Sequence, residues 1–123
     1  MKQPTKPYEI VYITSFISES ADGDMYTFMA IDGFADYLYP PVVAPEFKND
    51  NELIGTLVKF FNGINDNYNR NIHAQSTTYV VDLPEALHPI VKSLIMKADN
   101  LVYNPEKVSQ VFKPVFKEMG NLK

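Results

Sequence analysis

The chain of 123 residues contains no cysteine and no tryptophan. Without cysteine there are no disulfides, no thiolate zinc sites and no thiol nucleophile, so a packed core must hold the fold. Histidine is nearly absent too: His73 sits in a polar run, His88 precedes Pro89, and neither has a partner at metal-ligand spacing. No hydrophobic run reaches the roughly 18 residues that a membrane-spanning helix requires. The opening "MKQPTKPYEI" carries no apolar stretch of the secretory kind, so a cytoplasmic location without membrane contact is expected. A Gly-rich phosphate loop, a Ser-His-Asp set and a nucleic-acid stacking motif are likewise missing.

What is present is a core-forming composition, 46% hydrophobic with 8 Tyr and 8 Phe. That content predicts one globular domain over residues 1–123, with residues 1–7 as a disordered arm. The net charge of −4 is uneven: residues 1–84 hold 5 Lys/Arg against 11 Asp/Glu, and residues 85–123 hold 6 against 4. The C-terminal third is therefore where a polyanion would find positive charge.

Local patterns predict the element order. "YEIVYITSFI" (8–17) is β-branched and aromatic throughout, as a strand buried on both faces should be. A turn at Ala21 to Asp24 leads to a strand in "MYTFMAI", and "DGFAD" (32–36) turns the chain into "YLYPPVV". Pro40 and Pro41 lack ladder donors, which places this third strand at an edge. Leu53, Leu57, Phe60, Phe61 and Ile64 recur at helical spacing, with Asn49 and Glu52 as a capping-box pair and Gly63 as the expected stop. After the polar loop "NDNYNRNIHAQS", "TTYVVDL" reads as a strand parallel to the first. "PIVKSLIMKA" reads as a helix opened by Pro89, "NLVY" as a fifth strand, and "PEKVSQVFKPVFKEM" as a last helix. Asn104 and Pro105 supply its N-cap and first residue, and Pro114 should kink or divide it. The order β-β-β-α-β-α-β-α describes an α/β domain: a five-stranded mixed sheet flanked by helices, the ribonuclease H-like arrangement.

On these elements the chain resembles the catalytic cores of retroviral integrases and transposases. In "VYITSF", Tyr12 stands where that family's first-strand Asp-x-Thr pattern has its Asp, and Thr14 matches its Thr. Asp82, closing "TTYVVDL", matches the Asp at the end of the fourth strand. Tyr103-Asn104-Pro105 matches a family tripeptide whose catalytic Glu lies nine residues beyond the Tyr, and position 112 is Phe. The Asp-Asn-Gly turn is replaced by Leu83 and Pro84. The resemblance thus implies a core that keeps one of three metal-binding carboxylates. Such cores cut and join DNA with two divalent ions about 4 Å apart, which need convergent carboxylates. A phenol and a phenyl ring supply no charge, so a catalytically inactive domain is expected, with Mg²⁺ or Mn²⁺ as cofactor only if the site is active.

Three functional readings follow. The first is an inactive integrase-like domain that contacts DNA through Lys107, Lys113 and Lys117 of the last helix, although three such lysines are most simply a solvated face. The second is a protein-interaction or homodimerisation module that uses the face lined by Tyr12 and Phe112, or an aromatic patch at Tyr37 and Tyr39. The third is a nuclease with ligands relocated to Asp82, Glu52 and Asp32. Each acid also has a plain structural role: Glu52 caps its helix, Asp32 begins a turn, and Asp82 ends a strand. Glu118 lies at a family-like spacing after Asp82, but at about 100° per residue it points about 120° away from Phe112. Phe112 itself falls in the stripe Val108, Val111, Phe112, Val115 and Met119, which is core spacing.

Overall fold

The computed structural model describes residues 9–21, 23–34, 36–45, 49–68, 76–95, 97 and 99–121. The N-terminal arm and His73 lie outside the described residues. Strands β1 (Ile10–Ser20), β2 (Gly23–Asp32) and β3 (Val42–Pro45) precede helix α1 (Asp50–Tyr68). Strand β4 (Thr78–Val81) leads through a 3-10 turn (Glu85–Leu87) to α2 (His88–Leu94), followed by β5 (Asn100–Tyr103) and α3 (Pro105–Asn121).

The five strands form one sheet in the order β3-β2-β1-β4-β5. β1 pairs antiparallel with β2, and β2 with β3, while β4 runs parallel to both β1 and β5. The fold is ribonuclease H-like. Because successive side chains of a strand point to opposite faces, the central strand β1 feeds two cores. Val11 and Ile13 join Phe28, Ala30, Leu57, Phe60, Phe61, Tyr79, Val81 and Val91 under α1 and α2. Ile10 and Tyr12 join Met29, Ile31, Val80, Val108 and Phe112 under α3. The sheet is thus a middle layer, with two helices on one face and one on the other.

Several boundaries differ from the sequence expectation, each for a local reason. β1 continues past Ile17 to Ser20, and Ile17 to Glu19 are exposed rather than buried, because β4 pairs only as far as Ile13. The β1–β2 connection is two residues long, with Ser20 opposite Gly23, whose φ of +117 suits glycine. β3 forms after the two prolines rather than across them, and Leu38 makes only an isolated bridge to Ile31. It does lie at an edge of the sheet. α1 runs through Gly63 to Tyr68, since Gly63 keeps a negative φ and the helix gains five more residues. α2 stops at Leu94, where Ile95 turns extended and packs against the larger core; Met96 and Ala98, expected in this helix, lie outside the described residues. α3 is a single helix despite Pro114. The Gln110 carbonyl that Pro114 cannot satisfy lies on the exposed side, open to water.

Caps match their sequence signals. The Asn49 side chain accepts the Glu52 amide at 3.0 Å, and the Asn104 side chain accepts the Lys107 amide at 3.1 Å.

Two glycine substitutions test this packing by thermal unfolding. A Cβ on Gly63 would meet no atom within 4 Å, so Gly63→Ala should stabilise the protein by about 0.5–1 kcal/mol. A Cβ on Gly33 would sit 2.9 Å from the Tyr12 ring and 3.1 Å from the Ile10 carbonyl. Gly33→Ala should therefore destabilise by about 1–3 kcal/mol.

Candidate functional site

The fold brings the sequence-singled residues of β1, β4 and α3 to one face of the sheet. Tyr12 and Phe112 pack in the same apolar cluster, with exposures of 6% and 1%. Phe112 stacks on Phe116 at 5.8 Å between ring centroids, and Phe116 meets Phe16 edge-on at 5.6 Å. The Tyr12 ring lies against the Gly33 backbone, so the turn after β2 makes room for it. Burial pushes the Tyr12 phenol above its ordinary pKa, which keeps it neutral.

Asp82 follows β4, and its amide donates to the Ile13 carbonyl at 3.3 Å. This holds it beside Thr14, which follows Ile10 and Tyr12 on the α3 face. The Thr14 hydroxyl donates to Asp82 Oδ2 at 2.9 Å, while Oδ1 is buried without a hydrogen-bond partner among the described residues. Burial raises the Asp82 pKa, and the Thr14 bond and the nearby amides of Asp82 and Ser15 oppose the shift without cancelling it. This is a single half-buried carboxylate held by a hydroxyl and nearby amides.

The other acids do not join it. Asp32 is fully buried, but it pairs with Val11 and so faces the α1 side, across the sheet from Thr14 and Asp82. Its carboxylate accepts the Phe34 amide at 3.2 Å, the turn role read from "DGF". Glu52 is exposed in the first turn of α1, and Glu118 is exposed near the end of α3. Among the described residues no three His, Asp or Glu side chains converge on a metal-sized site. The residues present therefore do not fit a two-metal centre.

The surface expected to serve an interaction is also absent, because Tyr12 and Phe112 are core. Tyr39 is buried too, at 1%, leaving Tyr37 as the exposed half of that aromatic pair. The lysines divide: Lys113 and Lys117 are exposed and one helical turn apart, whereas Lys107 is half-buried and about 120° around α3 from Lys113.

Sequence reasoning missed a cleft of about 510 Å³ beside Asp82. It opens between Phe16, Ile17 and Tyr26 of the β1–β2 hairpin, Leu53 of α1 and Leu87 before α2. Its walls come from four separate segments, so no local pattern announces it. The Thr14–Asp82 pair had one signal, the Thr two residues after the first-strand position.

No protein-family model matches the chain, and no curated protein does. Among solved structures it is similar to the Argonaute of Marinitoga piezophila in complex with a 5' OH guide RNA, at 16% identity and a TM-score of 0.49. That match covers 79% of this chain but only 16% of the Argonaute. The fold assignment rests instead on the strand order and register given above.

Two outcomes check the site. Phe112→Ala should cost about 3–5 kcal/mol in denaturant unfolding, because it empties the middle of the α3 core. For Asp82, the raised native pKa means that the folded state binds its proton more tightly than the unfolded chain does. Its cost to stability is absent below the ordinary Asp pKa and fully present above the raised one. Asp82→Asn should therefore gain stability relative to wild type as pH rises through that window, and a flat or falling difference would contradict the assignment.

Proposed function

We propose that this chain is a non-cleaving relative of the integrase and transposase cores, a ribonuclease H-like domain that acts by binding nucleic acid rather than by cutting it. The observation that carries the proposal is the packing of Tyr12 against the Phe112 cluster, at the two positions where the family resemblance requires carboxylates. An apolar core at those positions leaves Asp82 as a lone acid tied to Thr14. Metal-assisted attack on a phosphodiester has no ligand set to work with.

The binding surface is the outer side of α3. Lys113 and Lys117 project there, and Phe116, 40% exposed, lies beside them. Paired cations next to the exposed side of an aromatic ring suit a single strand, whose phosphates take the lysines and one of whose bases meets the ring. The net charge of −4 confines such contact to this patch.

A second reading, a protein-interaction module, draws on the exposed Phe34, Tyr37 and Leu38 around the β2–β3 turn. Fluorescence anisotropy with a labelled single-stranded oligonucleotide separates the two. Nucleic-acid binding should weaken with salt at a log–log slope of about −1 to −2, for two or so phosphates, and should be lost in the Lys113→Glu/Lys117→Glu double variant. The oligonucleotide should stay intact with Mg²⁺ or Mn²⁺. Binding indifferent to salt and to both lysines, or cleavage abolished by Asp82→Asn, would overturn the proposal.

A further inference from the structure

The two edges of the sheet are built differently. At the β3 edge, Pro40 and Pro41 precede the strand and Pro45 ends it, removing amide donors that another chain would need. At the β5 edge, residues 100–104 read Asn-Leu-Val-Tyr-Asn, with no proline, glycine or charge. β5 is the last strand of the sheet among the described residues. The Asn100 amide donates to the Thr77 carbonyl and the Asn104 amide to the Val81 carbonyl, both at 2.9 Å. Alternation along a parallel pair then turns the N–H and C=O groups of Leu101 and Tyr103 outward, to the open edge. Val102 is 37% exposed and Tyr103 51%.

We propose that this edge is a homodimerisation surface, in which Asn100–Asn104 pairs antiparallel with the same segment of a second copy about a two-fold axis at Val102. In that register Leu101 of each copy faces Tyr103 of the other, and each such pair exchanges two backbone hydrogen bonds. Val102 faces its own counterpart at the non-hydrogen-bonded position, where cross-strand side chains come closest. A second copy is the occupant because the segment is self-complementary. It is neutral, so no like charges meet across the axis, and Asn100 lies opposite Asn104. The axis runs through the sheet, which keeps both α3 helices on one face and gathers two sets of Lys113 and Lys117 there. The pairing itself does not depend on the nucleic-acid reading.

Sedimentation equilibrium of the full chain over a concentration series tests it. A monomer–dimer equilibrium is expected. Tyr103→Pro deletes an outward N–H and the ring beside His88 but spares the β4 ladder, so it should weaken association at least tenfold. Val102→Lys, which opposes two ammonium groups across the axis, should do the same, and either variant alone suffices if its circular dichroism and melting match wild type. Because the chain has no cysteine, mild oxidation of Val102→Cys should give a disulfide-linked dimer, and Val43→Cys at the opposite edge should not. A monomer at every concentration, leaving the edge to a different chain, would overturn the proposal. So would a dimer that both edge substitutions leave intact.

Discussion

The alternation of side chains along β1 is the constraint on which the rest of the structure depends. From Ile10 to Thr14 every residue is buried, because β2 and β4 flank the strand and helices cover both of its faces. One set of side chains faces α1 and α2, and the other faces α3. A shift of one residue in register would carry Tyr12 out of the α3 core and bring the Thr14 hydroxyl into the larger one. The candidate site is therefore a by-product of the same alternation: Tyr12 and Thr14 share a face, so the apolar filling and the Asp82 contact lie on the same side of the sheet.

The element order and the sheet pairing were legible in the sequence because they rest on period and punctuation. The Val-Tyr-Ile-Thr run, the Asn49 and Asn104 caps and the short parallel strands all appear where those signals put them. Boundaries were less legible where two local rules competed. Gly63 reads as a stop only if the chain turns there, and the helix continues through it. The tyrosines at 37 and 39 look equivalent in a strand pattern, yet the prolines that follow keep them from forming one, and Tyr39 drops into the core. Of the site, the sequence singles out Tyr12, Asp82 and Phe112 only through a resemblance. It does not show that Asp32 faces the other side of the sheet, since this depends on the pairing of Asp32 with Val11.

The arrangement around Asp82 is dominated by apolar packing. Tyr12 and Phe112 fill an apolar cluster, and the nearby acid is desolvated and bonded to a neighbouring hydroxyl. Burying an aromatic there stabilises α3 against the sheet, whereas converging carboxylates without cations would repel one another and destabilise it. The surfaces proposed to meet partners lie instead on the outside: the lysines and Phe116 of α3, and the uncharged β5 edge.

The measurement that bears most directly on this account is titration with Mn²⁺ up to millimolar concentration, followed by NMR line broadening in wild type and Asp82→Asn. The account predicts no saturable broadening centred on Thr14, Asp82 and the facing turn of α3, and no difference between the two proteins. Saturable broadening at those residues that disappears in Asp82→Asn would contradict it, and would mean that a working metal site survives beneath the apolar core.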